Sequence, residues 1–312
     1  MYYFRLLLVF LSLIFASSQS HAQIFDIKLS DAKKIKERKL IVVLADTTFA
    51  WGKRSNDLLK SIVPEYWDSI SIEFMDLSQV RKLYAAKNTE YFTLEFSSLR
   101  NQKNALLEKL SPDVDPRSVL WNAKEHGYFD LALSENFEKP FYKFRTAVSA
   151  PIEGDFIIAV QQISKLFAYK KLEPGFSDKE YFRSIASKAQ TLKDRTLNID
   201  TLQLKRFFKT FAYVSEEYTQ KYRLTDFADV TGKIRTSDST AAYTAVIPYT
   251  DVLGRGKSFE GTAGGGMEAY EGNIYYLHVV IDARDGEIIS FAKDENANIE
   301  RRSLRQFVRY FE

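Results

Sequence analysis

The residues best suited to hold a ligand fall in two short segments. Asp46 and Thr47 leave the apolar run Leu40-Ile41-Val42-Val43-Leu44, and Trp51 follows closely. Open α/β sheets bind ligands beyond the carboxyl ends of their strands, so a carboxylate, a hydroxyl and an indole at this point could line a crevice. Asp46, or a threonine beside it, could instead cap the next segment. The second segment is Gly254-Arg255-Gly256-Lys257-Ser258, which continues through Glu260 to Gly264-Gly265-Gly266, with Asp251 just before it. Asp251, Arg255, Lys257 and Glu260 would supply polar contacts if this loop closed over a small polar ligand. Consecutive glycines cost ordering entropy and need not be rigid, so a flexible excursion between strands explains the same composition.

Other chemistries are poorly provided for. A phosphate-cradling loop needs glycine at position 251, where Asp251 stands, and a helix after Ser258, where a glycine-rich stretch follows. The absence of cysteine excludes thiol nucleophiles and cysteine metal sites. Among the three histidines, His21 lies near the amino terminus, and neither His126 nor His278 has a neighbour at metal-ligand spacing. His278 falls inside a predicted strand, where a structural role is expected. His126 could join a Ser-His-Asp set on paper, but no Gly-x-Ser-x-Gly turn marks a nucleophile. The acidic stretch from Asp294 carries Ile299 and Arg305 where an EF-hand needs glycine and glutamate. No metal or cofactor is indicated, and an enzyme is not the favoured reading.

The first residues explain where such a protein would work. Arg5 precedes an apolar run from Leu6 to Ala16, and a polar stretch ends in Ser20-His21-Ala22, the secretory pattern with cleavage expected before Gln23. An apolar run of about 11 residues is too short to span a bilayer. Removing residues 1–22 takes away one charged side chain, Arg5, and lowers the charge balance from +3 to +2. So small a net charge, with basic and acidic residues interleaved, gives no reason to invoke nucleic acid. The expected product is an exported, soluble, disulfide-free protein, periplasmic or extracellular. Aromatic residues make up 14% of the chain, as in some sugar-binding proteins, but ordinary packing accounts for them first.

These residues must be positioned by an α/β fold (or α+β) made of two successive units. In the first, strands are predicted at 40–44, 70–75 and 91–96, with helices at 56–67 and 77–84 between them; Pro64 should bend the first helix or restart it. A polar helical stretch at 29–39 precedes this unit. A helix at 99–110, closed by Pro112 and Pro116, and an irregular region with short strands from 121 to 151 follow it. A helix at 152–171, stopped by Pro174-Gly175, and another at 181–192 connect to the second unit. There, strands are predicted at 195–199, 210–214 and 241–247, and helices at 201–209 and 215–222, the latter opened by Ser215-Glu216-Glu217. The common element order suggests an internal duplication. Ile274–Ile281 and Ile288–Ala292, joined through Asp285-Gly286, should form a hairpin, and Leu304, Phe307, Val308 and Phe311 the apolar stripe of a closing helix. The expected division is 1–22 signal, 23–150 first unit, and 151–312 connector, second unit, hairpin and closing helix.

The Gly272-Asn273 turn, the aromatic strand, the Asp-x-x-Asp-Gly-Glu reversal from Asp282 to Glu287 and the Ile288-Ile289 strand resemble the ends of uncharacterised exported proteins of Bacteroidetes-type bacteria. The Leu192-Lys193-Asp194-Arg195-Thr196-Leu197 entry to the second unit is similar to theirs too. The resemblance spans residues 30–292 and implies export without implying any activity. The leading expectation is a non-enzymatic envelope module that binds a small polar ligand or an envelope protein. A hydrolase of envelope polymers, needing two carboxylates facing across a cleft, and a structural or assembly role are the alternatives.

Overall fold

The computed structural model describes residues 34–35, 37–48, 50–67, 70–98, 127–148, 151–172, 178–205, 209–250 and 274–309. The predicted signal, most of the predicted 29–39 and all of the 99–110 helix, the Pro174-Gly175 stop and the glycine-rich segment lie outside these residues.

The first sheet is built from β1 (Lys39–Leu44), β2 (Ile72–Asp76), β3 (Tyr91–Ser98), β4 (Gly127–Leu133) and β5 (Tyr142–Arg145), in the order β2-β1-β3-β4-β5. β1 pairs in parallel with both β2 and β3, while β4 and β5 add antiparallel strands. Helices α1 (Ala50–Tyr66) and α2 (Leu77–Ala85) make the two crossovers. Leu40 to Val43 are all buried, as a strand covered on both faces requires. On α1, Leu59, Ile62 and Val63 form the buried stripe. Pro64 sits inside α1, which runs on to Tyr66.

The second sheet repeats this plan. Its strands are β6 (Thr196–Asp200), β7 (Tyr222–Thr225), β8 (Ala241–Thr250), β9 (Ile274–Asp282) and β10 (Ile288–Asp294). They lie in the order β7-β6-β8-β9-β10, with the same sequence of parallel and antiparallel pairings. Helix α5 (Phe211–Glu217) and α6 (Phe227–Arg235) are its crossovers, and α7 (Arg301–Val308) closes it. The predicted hairpin and closing helix are present, with Gly286 at φ 71 in the turn.

The likeness extends to single hydrogen bonds. Asp76 and Asp226 both cap the second crossover helix, accepting from the backbone amides of Gln79 (2.9 Å) and Asp229 (2.8 Å). Both helices end in a left-handed residue, Lys87 (φ 50) or Ser237 (φ 48). The amides of Ala86, Lys87 and Asn88 reach back to Lys82, Tyr84 and Leu83; those of Thr236, Ser237 and Asp238 reach back to Gly232, Ile234 and Lys233. Arg38 before β1 pairs with Glu135, and Arg195 before β6 pairs with Asp282.

Residues 201–225 correct the sequence reading. Residues 201–203 form a turn and Leu204 a bridge to Ile299, so no helix begins at Thr201. The predicted strand 210–214 falls in helix α5, and Ser215-Glu216-Glu217 ends that helix instead of opening one. Val214 and Tyr218, four residues apart, are both fully buried, which is helical spacing. The middle strand lies later, at Tyr222–Thr225, and the second helix at Phe227–Arg235.

Between the sheets lie α1, α6, α3 (Glu153–Leu172) and α4 (Asp178–Lys188), whose buried side chains share one core with the facing sides of both sheets. Every residue of α3 from Phe156 to Ile163 is buried. Such all-round burial needs partners on every side. A separate cluster covers the far side of the second sheet under α5 and α7. A smaller one, Ile41, Val43 and Val80, lies between the first sheet and α2.

Candidate functional site

The carboxyl end of β1 is closed by local bonds. Asp46 accepts from the Thr48 amide at 2.8 Å and the Thr48 hydroxyl at 2.6 Å, which lowers its pKa, and Asp46 and Thr47 are both exposed. The Asn56 side chain holds Ala45 from both sides, accepting from its amide (2.8 Å) and donating to its carbonyl (2.9 Å). A Cβ on Gly52 would stand 2.0 Å from the Asp46 carbonyl oxygen, so strand and helix meet with no room between them. Trp51, partly buried, belongs to the first turn of α1. Asp46 and Thr47 therefore form a turn into α1. The other proposed ligand residues, Asp251, Arg255, Lys257 and Glu260, lie outside the described residues, as does His126.

Ser303 and His278 show the hydroxyl-to-imidazole contact of a nucleophile and its base, in a closed setting. The His278 Nδ1 is 2.7 Å from the Ser303 hydroxyl and its Nε2 is 2.9 Å from the Asn296 carbonyl. Since a carbonyl only accepts, Nε2 carries the proton and Nδ1 accepts from Ser303. Burial pushes the imidazole pKa down to about 4, against smaller upward pulls from Asp294 and the backbone. Both side chains are 0% exposed, so no substrate reaches the pair; it ties β9 to α7. The sequence placed His278 as structural but gave no sign of Ser303.

A carboxylate pair lies on the α2 side of the first sheet. Glu95 on β3 is directly opposite Asp130 on β4, and Lys143 on β5 lies 3.9 Å from Asp130. Burial, and secondly the Asp130 charge, raise the Glu95 pKa to about 7, opposed by Arg81. Glycoside cleavage needs a carboxyl group on each side of the scissile bond. Neighbours on one sheet face project the same way, so this pair does not form such a cleft. Among the described residues, no group of three or more His, Asp or Glu could hold a metal ion.

The structure does bring residues together at the second sheet. In an open α/β sheet, ligands favour the point where successive crossovers leave in opposite directions. In the second sheet that point lies between β6 and β8. The two strands pair only from Thr196/Ala241 to Asn198/Tyr243, whereas β1 and β3 stay paired from Lys39/Tyr91 to Val43/Glu95. Beyond Asn198, the turn after β6 leaves β8, and the Gln203 side chain spans the gap, its Nε2 donating to the Thr244 carbonyl at 3.1 Å. A half-open crevice of about 20 Å³ remains, walled by Gln203, Ala245 and Ile247 of the second sheet, Arg145 and Ala147 at the end of β5, and Asp155 of α3. Gln203 is 2% exposed, and its Oε1 accepts a hydrogen bond from no described group. The sequence pointed to the carboxyl end of β1; the open counterpart is the end of β6. Among the described residues, no helix is long and apolar enough to cross a membrane. The chain matches no family model, no curated protein and no solved structure.

Proposed function

We propose that the chain is an exported, non-enzymatic binding module whose ligand enters the crevice where the end of the first sheet meets the second. The observation that carries this reading is Gln203. Gln203 spans the gap where β6 and β8 part and lines a crevice shared by two sheets, at a position where α/β folds bind ligands. Fragment screening by NMR on the full mature chain tests it. Shifts should cluster at Arg145, Ala147, Gln203 and Ala245. A screen in which bound fragments cluster elsewhere, or none binds, would sink the crevice reading.

Export rests on Arg5, the apolar run Leu6–Ala16 and the small residues Ser20 and Ala22. A protein without cysteine also needs no oxidising machinery to fold after translocation. Amino-terminal sequencing of the protein from periplasmic extract or medium should begin at Gln23. A cytoplasmic chain retaining Met1 would overturn the assignment.

A further inference from the structure

We infer that the crevice receives a primary carboxamide, which donates and accepts a hydrogen bond side by side, and that the backbone of Val246 holds it. This deepens the binding reading and rests on it. Ala245, Val246 and Ile247 of β8 all line the crevice. Ala245 and Ile247 belong to the core between the sheets, as do Phe144, Ile158 and Phe227 of the other walls, whereas the Val246 side chain packs on the far side of the second sheet. Val246 therefore meets the crevice with its peptide edge. The alternation of an antiparallel ladder agrees. The Ala241 carbonyl accepts from the Ala283 amide, so the odd-numbered residues of β8 bond to β9, and Val246, opposite His278, turns its N–H and C=O away from β9. Strand β6 is not there to take them, because its pairing ends at Asn198/Tyr243.

Along this edge the chain itself uses carboxamides. The Asn198 Nδ2 donates to the Ala242 carbonyl and the Gln203 Nε2 to the Thr244 carbonyl, each at 3.1 Å. Val246 is next in the row, and neither its N–H nor its C=O bonds to a described group. Buried backbone groups are nearly always paired, and Val246 is 7% exposed. The carboxyl end of β1 shows what fills such a pair, since the Asn56 carboxamide accepts from the Ala45 amide and donates to the Ala45 carbonyl. A carboxylate, which only accepts, would set oxygen against the Val246 carbonyl. Pro248, next on the same edge, has no N–H, so an added strand would find no further donor there. A crevice of about 20 Å³ has room for the polar tip of a ligand and not for its body. Water can make the two Val246 bonds in the free protein, and the carboxamide replaces them when it displaces the water.

A peptide's asparagine side chain and a small primary amide carry the same group, and separate arms distinguish them. The mature full-length chain is titrated with N-acetylasparagine methylamide and with propionamide. Its controls are propionate, which lacks the donor, mannose, and acetyl-trialanine methylamide, whose amides are all backbone. The backbone amide NMR signals of Val246 and Ile247 are followed. Saturable movement of both signals by either carboxamide, with no response to the controls, is the expected result. Tighter binding of the asparagine compound marks a peptide source, and equal binding a small amide. Val246→Pro, which removes the donor as Pro248 does two residues on, should weaken binding at least tenfold. Ala147→Leu, which narrows the crevice and leaves the Val246 backbone intact, should do the same, so the test survives if Val246→Pro does not fold. If a control moves these signals as far as the carboxamides do, the carboxamide assignment falls while the binding reading stands. If no probe moves any crevice residue, the assignment falls and the binding reading falls with it.

Discussion

Glu95 and Asp130 face each other across β3 and β4, whereas the matching pair across β8 and β9 is Ala245 and Val279. The match is fixed by the bonds that start the strands, since Glu90 accepts from Lys39 as Thr240 accepts from Thr196. The fold is therefore compatible with apolar residues at this register, and the carboxylates bring a measurable cost. A pKa raised to about 7 means that Glu95 contributes stability below its unfolded value, which is lost as pH rises through 7. Glu95→Gln should stabilise the protein by about 1–2 kcal/mol at pH 8 and by nothing at pH 4. Urea denaturation at the two pH values measures the difference.

His278 acts in the opposite sense over the same range. Its folded pKa of about 4 lies below the ordinary histidine value, so the unfolded chain takes up the proton first. Its contribution is complete above pH 6.5 and is lost as pH falls towards 4, at most about 3 kcal/mol. A His278→Asn variant should be less stable at pH 7 and show a flatter acid limb. An acid limb as steep as that of the parent would contradict this.

Two helical glycines should respond with opposite signs to the same change. A Cβ on Gly154 would stand 2.4 Å from the Thr231 hydroxyl oxygen and 2.6 Å from the Phe227 ring, where α3 crosses α6. A Cβ on Gly232 would meet nothing within 4 Å. Alanine gains about 1 kcal/mol over glycine within a helix, while overpacking costs about 1–3 kcal/mol. Gly232→Ala should therefore raise the melting temperature and Gly154→Ala lower it.

Arg235 joins three helices. From α6 it pairs with Glu65 of α1 and Glu153 of α3, and its guanidinium lies 5.9 Å from the centre of the Tyr66 ring. Arg235→Ala should cost about 1–2 kcal/mol, more than a lone surface pair, because a network and a ring contact go together. The loss should shrink in high salt. An equal loss at low and high salt would point to packing alone.

The elements legible in the sequence are those whose burial follows a single period. β1 is a continuous apolar run, α1 carries its stripe, and the β9–β10 hairpin announces its turn through Asp285-Gly286. Thr210 to Val214 misled because β-branched and aromatic residues favour strands, while burial of Val214 and Tyr218 under α7 imposes a helix. Asp226 followed by Phe227, Val230 and Ile234 is a readable helix start, but extending a helix through Tyr222 hides the strand before it. The crevice gave no such sign. Gln203 matters because β6 and β8 separate after three pairs, and strand divergence leaves no local pattern in composition.

Helix α3 has a consequence for how the molecule assembles. It supplies side chains to the core facing each sheet, and its Gln162 and Lys165 reach the Gly286–Glu287 turn of the last hairpin. Neither sheet completes its hydrophobic layer until this helix is in place, and the helix is fully satisfied only between both. A chain cut after residue 150 would keep the first five strands but lose that cover, and one begun at 178 would lack it from the other side. The two look-alike halves should therefore melt in a single transition, the kinship visible in their topology and hidden from any calorimeter.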